Sequence, residues 1–66
     1  MQSETKAKIV AAIESQITVV AENHDENKYV CFAYGLGLTE MARLAGAIDF
    51  EARCQYDMKL REALHK

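Results

Sequence analysis

Three clusters of residues in this 66-residue chain have side chains of the kinds that chemistry uses. His24-Asp25-Glu26 sets an imidazole beside two carboxylates, a fragment of a metal or acid–base site. A structural zinc site asks for about four ligands, usually in two close pairs. The two thiols, Cys31 and Cys54, stand 23 positions apart and belong to no CxxC or HxxxH pair. The polar turn is the better reading of His24-Asp25-Glu26, and no metal or cofactor is expected. Nucleophilic catalysis at either cysteine would need a base beside it and a water-excluding pocket. Neither thiol has a base close in sequence, and three short helices rarely enclose a ligand-sized cleft. No catalytic residue and no enzyme activity are expected.

The third cluster bears on nucleic acid. Thr39-Glu40-Met41-Ala42-Arg43-Leu44-Ala45-Gly46 places an alanine four residues before a glycine, then a short turn and a new helix. Helix-turn-helix folds use such a corner, in which a small residue lets two helices approach and glycine opens the turn. A DNA-binding regulator using residues 39–58, with Arg43, Arg53, Lys59 and Arg61 on phosphate, is therefore the alternative function. It weakens where recognition would occur, because the second helix opens with Asp49, Phe50 and Glu51, and early acids face phosphate badly. Tyr29, Phe32, Tyr34 and Tyr56 could stack on bases, but without interleaved Lys or Arg they read as core or interface aromatics. Nucleic acid is not the expected partner.

Composition narrows the classes further. Half the residues are apolar and ten acids against eight bases leave a net charge of −2, which suits a folded protein without a strong hold on polyanions. Glu4, Lys6 and Lys8 interrupt the first twelve residues, so no secretory h-region is read and the host cell cytoplasm is expected. Thiols stay reduced there, and both cysteines are expected as buried small apolar residues rather than as a bridge. The apolar run spans ten residues, Tyr29 to Leu38, about half of a membrane-crossing helix, so no membrane partner is expected. A chain this short is marginal by itself, and with disulfide and metal set aside, oligomerisation remains.

The elements that must position these residues are set by periodicity. From Glu4 to Glu22, Ile9, Val10, Ile13, Ile17, Val20 and Ala21 share one arc at helical spacing, with Lys8, Glu14, Ser15, Thr18 and Glu22 opposite and Ser3 as the N-cap. Val19 points away from that arc. Asn23 to Lys28 is a polar turn in which Asp25 can cap the next element. A second helix is predicted over 28–47, irregular near Gly35-Leu36-Gly37; a strand over Tyr29–Tyr34 is the competing reading. On that helix Val30, Tyr34, Gly37, Met41, Leu44 and Ile48 share one face, read as facing the chain's own core. Tyr29, Phe32 and Leu36 stand nearly opposite. Asp49 caps a third helix, 50–64, with one apolar stripe of Ala52, Tyr56, Leu60, Ala63 and Leu64 and another of Phe50, Cys54 and Met58. Arg53, Asp57 and Arg61 run between them at i, i+4, i+8 and can pair internally. Two helices with apolar surface on two sides predict a homodimer, its interface formed by Tyr29, Phe32, Leu36, Tyr56 and Leu60.

The stretch Tyr29-Val-Cys-Phe-Ala-Tyr-Gly-Leu-Gly-Leu38, followed by Met41-Ala-Arg-Leu-Ala-Gly46, resembles the small accessory proteins of temperate lambdoid phages, those encoded between the exonuclease and excisionase genes. The resemblance covers residues 29–60, contains no diagnostic motif and carries over no functional residue. It implies a small, helical, oligomeric early protein of a phage or prophage that biases host processes by binding. The expectation is therefore an all-α single domain over 1–66, two or three helices completed by homodimerisation. It would serve as a non-enzymatic protein-interaction module acting on a host or phage protein and modulating host or phage development.

Overall fold

The computed structural model describes residues 2–66 and contains three helices, α1 (Ser3–Glu22), α2 (Asn27–Leu44) and α3 (Phe50–Leu64), with no strand among the described residues. Each helix packs on both of the others. The expected apolar arc of α1 is the one that turns inward: Ile13 and Val20 are buried, while Ile9, Val10, Ile17 and Ala21 are half-buried beside them. The helix starts one residue earlier than its cap chemistry suggests. Gln2 is the N-cap, without a side-chain bond, and Ser3 is the first helical residue rather than the cap. Backbone spacing sets that boundary, since the Lys6 N–H already donates to the Gln2 carbonyl at 3.0 Å.

Two successive Asx turns lead into α2. The Asn23 side chain accepts the Asp25 N–H at 3.0 Å, and the Asp25 carboxylate accepts the Asn27 N–H at 2.8 Å. Asp25 thus satisfies the first orphan donor of α2, from one position before the formal N-cap, Glu26. Tyr29–Tyr34 is helical, not strand, and the helix passes through Gly35 and Gly37 without a break. It ends three residues before the expected 47. The Gly46 N–H donates to the Arg43 carbonyl and the Ala47 N–H to the Ala42 carbonyl, with Gly46 at φ 80°. This is a Schellman motif, and its usual apolar contact is present because Ala42 and Ala47 belong to one buried cluster. Only glycine takes that left-handed φ without strain.

Asp49 caps α3 as its position implies, its carboxylate accepting the Ala52 N–H at 2.8 Å. Asp49→Ala should cost about 1 kcal/mol of stability in thermal unfolding. Asp49→Asn, which keeps the acceptor, should retain most of it; equal losses in both variants would show that the side chain works otherwise.

The core is small and has two centres. Ile13, Ala42 and Ala47 form one, with Ile9, Ile17, Leu38, Ile48 and Tyr56 against them. Val20, Leu60 and Ala63 form the other, joined by Ile17, Ala21, Cys31, Phe32, Leu36 and Leu64. Ile17 bridges both, so α1 is the spine on which the other helices lie. Of the two apolar stripes of α3, the one of Tyr56, Leu60, Ala63 and Leu64 turns inward, while Phe50 and Met58 of the other are exposed. The faces of α2 are reversed relative to expectation: Phe32 and Leu36 pack inside, while Val30, Tyr34, Met41 and Leu44 are exposed.

Small residues explain the reversal. Gly35, Thr39 and Ala42 lie along the buried side of α2, and a helix whose contact line carries such side chains can approach its neighbours closely. A Cβ built on Gly35 would stand 2.7 Å from Leu60 Cδ2 and 3.1 Å from its Cδ1, so a leucine occupies the space a side chain there would need. Tyr34, by contrast, keeps its hydroxyl in water at no desolvation cost.

Candidate functional site

The clusters that suggested chemistry do not assemble into a reactive centre. His24, Asp25 and Glu26 are all exposed on the turn, and no group of three or more metal-type side chains occurs among the described residues. Both cysteines are free. Cys31 is half-buried, 3.7 Å from the Asn23 amide nitrogen, and its carbonyl accepts a 2.9 Å bond from Gln16 Nε2 that ties α2 to α1. Cys54 is exposed rather than buried, because the stripe it shares with Phe50 and Met58 faces away from the core.

Two of the four bases of residues 39–61, Arg43 and Arg53, are drawn into an internal network instead. Glu40 receives Arg43 at 2.6 Å on one carboxylate oxygen and Arg53 at 3.0 Å on the other. Arg53 Nε lies 3.4 Å from Asp57 Oδ2 but lacks hydrogen-bond alignment, so it is the one buried side-chain polar atom without a partner among the described residues. Thr39, fully buried, sets its hydroxyl 2.6 Å from the other Asp57 oxygen and 2.9 Å from the Leu36 carbonyl. Two guanidiniums and two carboxylates thus neutralise one another between α2 and α3, fixing their register. An arginine held by a carboxylate is a weaker partner for phosphate, and guanidiniums carry no acid–base capacity near neutrality. Lys59 adds an ammonium 5.6 Å from the Tyr56 ring centre. Arg61 is exposed and forms no ion pair among the described residues, so the expected ladder closes only at its Arg53–Asp57 step.

Lys28 is the one buried cation among the described residues. Its ammonium donates to the Lys66 carbonyl at 2.9 Å, just past the end of α3. A positive charge there meets the negative end of the α3 dipole and fastens the start of α2 to the end of α3.

What remains is a surface. Val30, Tyr34, Gly37, Met41 and Leu44 succeed one another along α2 at steps of four, three, four and three residues. The four side chains among them are between 62% and 67% exposed. Tyr29 and Ala33 extend the same exposed side, so every exposed position of α2 from Tyr29 to Leu44 is uncharged. Tyr34, Gly37, Leu38 and Met41 border an open depression of about 330 Å³, in which the Tyr34 phenol is the only titratable group. Apart from its neighbours along the helix, nothing among the described residues comes within 4 Å of where a Gly37 Cβ would stand. A depression with one helix for its wall and one polar group suits a flat apolar partner better than a small molecule, which binds in pockets with several converging polar groups.

Of the five residues expected at an interface, the structure leaves one outside. Leu60 is fully buried; Phe32 and Leu36 pack around it, and Tyr56 packs on the Ile13 cluster. Tyr29 is exposed. The residues that form the exposed line are visible in the sequence as one face of the second helix, but periodicity assigns them to the wrong side. The signal that separates the faces is the run of small residues at 35, 39 and 42. Compared with protein-family models, with curated proteins and with solved structures, the chain shows no match in any of the three.

Proposed function

We propose that this chain is a small helical protein-binding module that acts without chemistry of its own, through the outer face of α2. The observation carrying this reading is the uncharged, two-heptad apolar line on a helix whose other side is already packed. Single exposed apolar residues are ordinary, whereas a contiguous patch of this length on a small protein marks a contact surface. The internal pairing of Arg43 and Arg53 on Glu40 supports protein rather than nucleic acid as the partner class. No helix among the described residues is long and apolar enough to cross a membrane. The resemblance of residues 29–60 to lambdoid phage accessory proteins supplies the setting: an early phage or prophage protein that biases host or phage development by binding.

A photoreactive phenylalanine analogue placed at position 41, on the apolar line, and at position 14, on the polar side of α1, tests this in the producing cell. Protein adducts from position 41 and none from position 14 are expected. No adduct from 41, or equal adducts from both, would overturn the reading.

A further inference from the structure

Resting on that reading, we propose that the outer face of α2 is closed by a second copy of this chain, α2 against α2, with Gly37 at the point of crossing. Four observations lead to this partner rather than another.

The first is spacing. Steps of four and three residues give an average period of 3.5, the repeat that keeps a seam aligned with another helix of the same repeat. A helix that packs only on its own chain has no need of a second such seam. Every other copy of α2 necessarily carries the same repeat.

The second is charge. A foreign partner recognised by charge would find little to complement on this face, since its exposed positions are uncharged and Glu40, half-buried at its edge, is already paired with Arg43 and Arg53. For the same reason a second copy brings no like charge against another along the apolar line itself.

The third is Gly37. Glycine inside a helix costs about 1 kcal/mol relative to alanine. At Gly35 the fold explains the residue, because Leu60 fills the space. At Gly37 none of the described residues does, and the residue sits midway along the apolar line, with Val30 and Tyr34 before it and Met41 and Leu44 after. A missing side chain in the middle of an apolar seam lets a second helix backbone come close. Ala33, exposed four residues earlier, widens the same opening.

The fourth is area. Val30, Tyr34, Met41 and Leu44 are each about two-thirds exposed, so each has on the order of 100 Å² left to bury. Two copies together bury about 1,000 Å² with the surrounding backbone, the size at which specific protein interfaces begin.

Sedimentation equilibrium of the purified full chain, over the micromolar range, reads the result. The 7.4 kDa chain is expected to reach twice its mass as concentration rises. The double variant Tyr34→Glu/Met41→Glu should stay monomeric throughout with its far-ultraviolet helical signal intact, because both side chains are exposed in the single chain. Gly37→Leu should weaken association at least tenfold although it adds apolar surface. A wild-type chain that stays monomeric overturns the proposal. So does a dimer unaffected by the two glutamates, or a Gly37→Leu variant that associates as tightly as wild type. The two readings fail separately: a monomer in solution whose position 41 still captures a different protein in cells removes self-association but leaves the binding module. A monomer whose position 41 captures nothing removes both.

Discussion

Leu60→Ala should lower stability by about 3–5 kcal/mol, read from urea unfolding monitored by far-ultraviolet circular dichroism. A domain of this size has a total of roughly 3–10 kcal/mol, so much of the variant should be unfolded without denaturant. Leu60 has no solvent exposure and belongs to the buried cluster of Val20 and Ala63, with Phe32 and Leu36 beside it. Its two terminal methyl groups lie where Gly35 has no side chain of its own. Removing them opens a hole that the glycine cannot refill, so the loss should fall in the upper part of the usual range. A loss below about 1 kcal/mol would mean that the helices close the hole by moving together, and that the α2–α3 contact is softer than its distances indicate.

The second large effect is expected at the other side of the same contact. Gly35→Val should destabilise by about 3 kcal/mol or more, because three carbon atoms must enter space that Leu60 already occupies and Gln16 borders at 3.4 Å. Gly35→Ala opposes two terms, a gain of about 1 kcal/mol in helix propensity against an overpacking cost of about 1–3 kcal/mol, and should come out mildly destabilising. The decisive measurement is the pair. In a Leu60→Ala background, Gly35→Ala should become stabilising, with a coupling of about 1–2 kcal/mol in the double-mutant cycle. Additive effects would show that the two residues do not share one space. All comparisons belong at one low protein concentration, since association would add its own stabilisation.

Some elements are readable in the sequence and others are not, according to how local their causes are. The α1 arc, the Asp49 cap and the corner of Ala42 and Gly46 depend on neighbours within one turn, and each is found where it was expected. The start of α1 and the end of α2 shifted because backbone hydrogen bonds, not side-chain preference, set the last turn. The interior of α2 was harder. Its two faces are both apolar, and periodicity reports that a face exists without reporting what covers it.

The amino-acid sequence by itself indicated two or three helices, their approximate limits, a polar turn from Asn23, the inward face of α1 and an excess of apolar surface on α2, and it left open which stripe of α3 turns inward. Only the tertiary structure decided which side of α2 is spent inside. That choice rests on contacts between residues far apart in sequence: the fit of Leu60 over Gly35, the Thr39–Asp57 bond and the pairing of Arg53 with Glu40. Such contacts depend on volume and hydrogen-bond complementarity across helices, and no local period encodes them. They place Phe32, Leu36 and Leu60 in the core and leave Val30, Tyr34, Gly37, Met41 and Leu44 as the exposed face of α2.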